Sequence, residues 1–504
     1  MPSFGSLGRR DASAAPTTAP RVVFALVAIA WFMVVLDTAI ITVALPVIKR
    51  QLGFGADSIQ WVITAYVLTF GGCLLLGGRV ADLFGRRRTL VTGMLAFTLV
   101  SLLIGLSSSV PLLIVLRGLQ GLAAAFMSPA ALSIVLVTFP EGRRRARALG
   151  YWSMVATGGA AVGLLLGGVL TQYTSWRWDF FINVPIGLVV SFLISRLVPA
   201  HAHTGVRRTM DTPGAVLATL GLMAAVLSFS QAPSWGWTDP HTLGGLVACV
   251  LLLAAFVVNE RRAASPLMDL SIFKIRNVAG ANAMMAAVFA GNLSMFFLIT
   301  LYLQGVEHYS AIRTGLAFLP FPVILGFMST RMAHLIPRFG FRPFLIIGPA
   351  TVAVGMTWVC FLPVHGDYLL HVLPGLVVMP LGYGMSLAPM YAAATTGIPP
   401  RYAGLASGLI TTSQQMGGAL GVAVISGTAS SVTSSLTRDT PLQALASGYD
   451  AGMAVGAGFT LLAVLLAVVV IRSPARVPAP QQDPQDAPQP QIAVQPAAMT
   501  KELP

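Results

Sequence analysis

Along this chain the apolar positions fall into fourteen long runs, near residues 22–48, 59–78, 89–107, 110–137, 148–171, 180–198, 213–231, 242–258, 278–304, 314–336, 343–362, 368–391, 403–428 and 451–471. Most are about 20 residues long, the length a helix needs to cross a hydrocarbon core of ~30 Å. The pattern predicts an all-α polytopic membrane protein with fourteen transmembrane helices. The first run carries an acid, lacks an Ala-x-Ala exit and is followed by thirteen more, so it is expected to remain as a helix rather than be cleaved as a signal peptide. Between the runs, residues 1–21 read as a short cytoplasmic tail and 429–448 as the longest outer loop, rich in Ser and Thr. The Pro, Gln and Ala tail at 472–504 is expected to be disordered.

Composition agrees, with 56% hydrophobic and only 10% charged residues, where soluble domains have about 25% charged. A net charge of +14 would suggest nucleic acid as partner in a soluble protein, but its distribution excludes that here. With the N-terminus cytoplasmic, 25 of the 31 Lys and Arg fall on inner segments, five (Lys49, Arg50, Arg177, Arg313, Arg438) on outer loops, and Arg117 within a span. This positive-inside asymmetry places both termini in the cytoplasm of a multi-pass cell-membrane protein. Cys73, Cys249 and Cys360 all lie in spans, and the seven His residues lie in loops or near span ends, the His201/His203 pair included. Neither set has the spacing of a disulfide framework or a metal site. Arginine outnumbers lysine 28 to 3, which points to a high-GC, bacterial genome.

One acid sits where acids are costly. Asp37 lies roughly 24 Å along the first run, counted from Arg21 at about 1.5 Å per residue. A charge at the centre of a membrane helix costs about 2.5–3.5 kcal/mol on insertion scales, and such residues are functional by default. Arg117, in the fourth run, lies about 9 Å below the outer surface, at a similar depth. No other acid or base falls well inside a run, so the two are expected to compensate each other. Either the pair carries function or it is a structural ion pair that fixes packing.

The turn after the second run reads Gly78-Arg79-Val80-Ala81-Asp82-Leu83-Phe84-Gly85-Arg86-Arg87-Arg88. Its Gly-x-x-x-Asp-x-x-Gly-Arg-Arg pattern resembles the signature loop of the major facilitator superfamily. In the fifth run Gly159, Gly163, Gly167 and Gly168 resemble that family's antiporter signature, Gly-x-x-x-Gly-Pro-x-x-Gly-Gly, with Leu164 where the proline belongs. Without the resemblance, this small-residue face is a helix-packing stripe. The stretch Ser175-Trp176-Arg177-Trp178-Asp179-Phe180-Phe181-Ile182-Asn183-Val184-Pro185-Ile186-Gly187 resembles the fourteen-span drug:proton antiporter branch; its tryptophans suit an interfacial belt in an outer loop. The resemblance covers residues 22 to 471. It implies the major facilitator fold and an exporter of small, often amphipathic molecules driven by protons. Asp82, with Gly78, Gly85, Arg86 and Arg87, would latch the cytoplasmic side.

An internal repeat supports two related halves. Arg147 and Arg401, Gly150 and Gly404, Ser153 and Ser407, Thr157 and Thr411, Gly163 and Gly417, and Gly167 and Gly421 all match at an offset of 254, while Gly85 and Gly340 match at 255, with Pro337 in place of Asp82. The expected plan is two six-helix bundles, 22–198 and 278–471, with an inserted helix pair and its linkers at 199–277. Repeated six-span halves build a central site between two rocking bundles. Asp211 before Pro213 reads as a helix N-cap opening the inserted pair.

Polar residues within runs, Thr42, Gln120, Asn292, Gln304, Gln414 and Gln415, are candidates for lining a substrate cavity or for bonding helix to helix. Burial favours a protonated Asp37 and a nearby Arg117 an ionised one, so their separation can switch the carboxyl. The expected partners are a small-molecule substrate, protons and the lipid bilayer, with function as a monomer and no cofactor beyond the proton gradient. A proton-driven importer of a metabolite on the same fold stays open, favoured by Leu164. An embedded enzyme would need a nucleophile or an acid–base pair near one surface, and none is apparent. Gly-x-x-x-x-Gly-Lys-Ser/Thr is absent, which argues against ATP-driven transport.

Overall fold

The computed structural model describes residues 19–52, 61–140, 142–199, 211–263, 266, 268, 270–309, 311–364, 366–399, 402–436 and 440–471. The predicted disorder at 472–504, the N-terminal tail before residue 19 and the His201/His203 pair lie outside these residues. Within them the protein is helical: α1 (Pro20–Leu52), α2 (Trp61–Phe84), α3 (Arg86–Leu106), α4 (Val110–Thr138), α5 (Arg143–Tyr173), α6 (Trp178–Phe181), α7 (Asn183–Leu197), α8 (Thr212–Trp235), α9 (Pro240–Arg262), α10 (Arg276–Leu301), α11 (Ala311–Ala317), α12 (Pro320–Phe339), α13 (Arg342–Trp358), α14 (Leu373–Thr395), α15 (Ala403–Ser435) and α16 (Pro441–Val469). Among the described residues every predicted apolar run falls mostly on helix. Twelve helical segments among the described residues are long and apolar enough to cross a membrane. The runs at 278–304 and 343–362 are not among the twelve; they fall on α10 and on α13, which has 17 residues. Large apolar side chains such as Leu99, Val115, Phe192, Val250, Val354 and Leu465 are exposed on several helices, as a surface facing lipid would have them.

Two expectations about boundaries need correction. The stretch 429–448 is mostly helix: α15 runs to Ser435 and α16 starts at Pro441. The hydroxyls that made it look like a loop bond back along the helix instead, Thr433 to the Ala429 carbonyl and Ser435 to the Val432 carbonyl. Thr440 then opens α16 with a capping box shared with Gln443. The turn at 78–88 is a single residue. Gly78 and Asp82 belong to α2, α3 begins at Arg86, and Gly85 between them has φ 99°, a backbone region costly for side-chain-bearing residues. Gly340 takes the same role between α12 and α13 with φ 78°.

The repeat read from the sequence recurs in the packing. α1 packs on α5 as α10 packs on α15, α2 on α4 as α12 on α14, and α3 on α4 and α7 as α13 on α14 and α16. α8 lies against both α2 and α15, with α9 behind it. Asp211 caps α8, accepting the Gly214 N–H at 3.0 Å, and its other oxygen accepts from Asn259 of α9 at 2.7 Å. The two halves meet through α2 with α15 and α5 with α12. Gly78 touches the Gly404 backbone and Gly408 lies against Leu74.

Glycine sets the closest approaches within each half. Gly159, Gly163 and Gly167 of α5 rest on α1 between Phe32 and Ile40, and Gly417 and Gly421 of α15 rest on Ala286 and Ala290 of α10. A methyl group on Gly163 would come 2.7 Å from Ala39 Cβ and 2.9 Å from the Leu36 carbonyl oxygen. Gly163→Val is therefore expected to destabilise the fold by about 1–3 kcal/mol. Gly158→Ala, at a position with nothing within 4 Å, should be neutral. Thermal loss of monodisperse protein in detergent checks this; equal melting temperatures for the two variants would show that the α1–α5 contact tolerates a side chain.

Candidate functional site

Asp37, near the middle of α1, faces Arg117 of α4, and the two are only 2% and 1% exposed. Arg117 Nη1 lies 2.7 Å from Asp37 Oδ2. Gln120, one turn further along α4, donates to Asp37 Oδ1 at 2.9 Å and to Ser101 Oγ of α3 at 2.9 Å, and its carbonyl oxygen accepts from Arg117 at 2.6 Å. Asn183, the first residue of α7, donates to the same Asp37 oxygen at 3.3 Å and to Ser101 Oγ at 3.1 Å. From α2, the Val62 carbonyl accepts from Arg117 Nε at 3.2 Å, and the Tyr66 ring lies 4.4 Å from the guanidinium carbon. Five helices thus converge on one carboxylate. Both oxygens of the acid are bonded, the condition under which a buried ion pair can be tolerated.

An apolar layer of Ile41, Ala44, Ile48, Val62, Leu116, Trp176 and their neighbours lies beyond this cluster. Trp176 donates its indole N–H to Gln51 at 2.9 Å, and Arg177 stacks on the Trp176 ring while donating to the Ser107 carbonyl at 3.0 Å. Trp176, expected at an interface, is thus wholly buried; Trp178 is 54% exposed.

At the opposite end of the helices Asp82 reaches across from α2 to α15. Its Oδ1 accepts the Gly404 N–H and its Oδ2 the Leu405 N–H, both at 3.0 Å, and Arg86 lies 3.2 Å from Oδ1. Those amides are in the first turn of α15, where helical N–H groups lack partners and the helix dipole favours an anion. Arg87 donates to the Ser195 and Val198 carbonyls at the end of α7, at 3.4 and 3.0 Å, the complementary use of a helix C-terminus. The glycine stripe of α5 rests on the α1 segment that carries Asp37, so it fixes where the carboxylate sits. Gly168, one position off the stripe, is half-buried.

The expected cavity residues do not form one group. Gln120 is fully buried in the carboxylate cluster. Gln304 is exposed on a π-helical turn, Tyr302–Val306. Asn292 and Gln415 are half-buried, and Gln414 accepts from Tyr391 at 3.3 Å. The side chain of Thr42 lies outside the described residues. Thr38, beside Asp37, is exposed. Asn282 accepts from Ser413 at 3.0 Å, bonding α10 to α15.

Asp37 is not the sole acid within a membrane-length helix, as the sequence reading had it. Asp179 and Asp450 lie within the segments Trp178–Leu197 and Pro441–Val469. The short helix α6 carries Asp179 into the bundle where an outer loop was expected. Asp450 lies nine residues into α16, because that helix starts ten residues before the predicted run. Asp450 accepts the Leu362 N–H at 3.3 Å. Ser101, Tyr66 and Asn183 were missed as members of the cluster around Asp37 and Arg117, because a neutral polar side chain in an apolar run has no signal that separates it from packing.

Known proteins share this fold. Residues 27–422 match the family model described as Major Facilitator Superfamily. The chain is 40% identical to the cephamycin export protein CmcT of Amycolatopsis lactamdurans over 91% of its own length and 93% of the relative's. It is 39% identical to the puromycin resistance protein pur8 of Streptomyces alboniger over 86% and 88%. Among solved structures the human organic anion transporter MFSD10 (TETRAN) superposes with a TM-score of 0.64 at 14% identity, over 90% of this chain and 100% of that one. The proton:xylose symporter XylE gives 0.59 at 14%, over 88% and 96%. With a family model matched over most of its length, and helices, buried ion pair and α2–α15 closure arranged as described, the chain belongs to the Major Facilitator Superfamily.

Proposed function

We propose that this protein exports small drug-like or antibiotic molecules across a bacterial cell membrane in exchange for protons. The observation that carries the reading is the Asp37 carboxylate, sealed in the bundle with Arg117 at 2.7 Å. It is a titratable group whose protonation breaks an ion pair and so changes what the helices around it hold. Export and an antibiotic-like substrate are supported by the resistance and export named for the relatives. The proton gradient is the energy source, and no cofactor is needed.

In this reading both termini and the Asp82 end are cytoplasmic, 22–198 and 278–471 act as the two rocking bundles, and 199–277 is an inserted pair between them. The bonds from Asp82 to Gly404 and Leu405 hold the cytoplasmic side shut, leaving the substrate path open to the outside. A proton reaching Asp37 releases Arg117 and permits the return to the inward-facing state. One proton falling through 100 mV releases about 2.3 kcal/mol, enough for a roughly 50-fold gradient of a neutral substrate. Thr38, Asn292, Gln414 and Gln415 are the polar groups offered to substrate, and one chain suffices.

Inverted membrane vesicles with an imposed proton gradient test the proposal with ethidium as the probe. Accumulation of dye that disappears when the gradient is collapsed is the expected result. Gradient-driven loss of dye from preloaded vesicles would favour the importer, which Leu164 in place of the signature proline leaves as the second reading.

A further inference from the structure

The ion pair is not the only titratable chemistry buried in the N-terminal bundle. Asp179, on α6, is completely buried. Thr171 of α5 donates to its Oδ2 at 2.7 Å. Its Oδ1 has no hydrogen-bond partner among the described residues, and neither has Oδ1 of Asn183, one helical turn further along. Asn183 spends its amide N–H groups on Asp37 and Ser101, so its carbonyl is the end left over. An acceptor shut away without a donor costs about 1–3 kcal/mol. Two such acceptors one turn apart are both satisfied if one of them carries a proton, and only the carboxyl can.

The charges around Asp179 lead to the same assignment. α1 offers Asp37, already in contact with Arg117, and at its outer end the exposed Lys49 and Arg50. α3 has no titratable group from Thr89 to Leu106, and α7 has none before Arg196 at its far end. α5 offers Tyr173, which is 76% exposed at the helix end. Arg177, just before α6, is engaged with Trp176 and the Ser107 carbonyl. Among the described residues Arg177 makes no ion pair with Asp179, so within hydrogen-bond reach the cluster holds two carboxyls against one guanidinium, that of Arg117. Only one of them can ionise without leaving an uncompensated charge in an apolar interior.

We propose that Asp179 is a second proton-binding carboxyl of this transporter, neutral in the conformation described and joined to the Asp37–Arg117 pair through Asn183. The cluster then holds one proton more than the ion pair alone. Asn183 bonds Asp37 directly, so a proton placed between Asp179 and the free Asn183 carbonyl couples gain at one acid to loss at the other. The consequence for transport rests on the proton-driven reading above; the protonation itself does not.

Infrared spectroscopy of the purified full-length protein separates the two. A protonated carboxylic acid has a carbonyl stretch distinct from that of a carboxylate. Asp179→Asn, which keeps an acceptor for Thr171 and supplies an N–H for Asn183, is expected to remove that band, while Asp37→Asn retains it. Thr171→Val deletes the described donor to the carboxyl and should let the band persist to higher pH than in the wild type. In vesicles the wild-type rate should fall at alkaline pH as Asp179 ionises, and Asp179→Asn should keep a larger share of its rate there. A band unchanged by Asp179→Asn, or alkaline limbs that superimpose, would overturn the proposal. A band that behaves as expected in a protein showing no gradient-driven transport would instead sink only the proton-driven reading.

Discussion

Asp37→Asn is expected to reduce substrate accumulation under a 100 mV driving force from roughly 50-fold to about equality with the medium. The amide keeps nearly the shape of the carboxyl and one acceptor oxygen, but it cannot change charge. It also leaves Arg117 without its anion in a site where both partners are almost wholly buried. Breaking a buried pair in this way costs about 3–5 kcal/mol, so lost transport could reflect a damaged fold. The double variant Asp37→Asn, Arg117→Gln removes both charges and should recover melting temperature without recovering accumulation. Energy-independent exchange of labelled for unlabelled substrate should persist in the double variant, because equilibrative movement needs no coupled proton. Undiminished gradient-driven accumulation in Asp37→Asn would mean that the ion pair only fixes packing.

Asp82→Asn should have the next largest effect. The carboxylate satisfies two amides at the start of α15 with two oxygens. An asparagine offers one acceptor and turns an N–H donor toward the other amide. One unpaired N–H costs about 1–3 kcal/mol, a factor of roughly 5 to 150 in the population of the closed state. Hydrogen exchange at Gly404 and Leu405 should accelerate by about tenfold, a cost near 1.4 kcal/mol. Transport should fall by a similar factor with membrane insertion unaffected. Exchange and transport both at wild-type levels would remove the latch from the mechanism.

Much of this was legible in the sequence, for reasons that differ from residue to residue. Hydrocarbon thickness dictates run length, so the helices were readable. Asp37 and Arg117 stood out because charge in an apolar run is expensive. The repeat was readable because Gly163 and Gly417, and Gly85 and Gly340, answer to steric demands that few residues meet. The partners of Asp82 were invisible, because backbone amides are the same in every residue. Asp179 was misplaced because Trp176-Arg177-Trp178 reads as an interfacial loop, and nothing local says that the chain turns back and buries the next acid. Ser and Thr near the end of α15 were read as loop formers because their ability to bond the preceding turn depends on a helix already being there.

The Asp82 contact has a genetic consequence. Its partners are main-chain N–H groups, and substitution at residue 405 leaves them in place unless the new residue is proline, whereas any Cβ at Gly404 would collide with the Gly78 carbonyl. Side chains elsewhere along that first turn of α15 can drift without erasing the two donors, provided they fit beside α2. By the same logic a defect at Asp82 has no compensating charge swap at the two amides. Second-site revertants of Asp82→Asn should therefore map to positions that shift the balance between conformations, and a screen for them would trace which helices move.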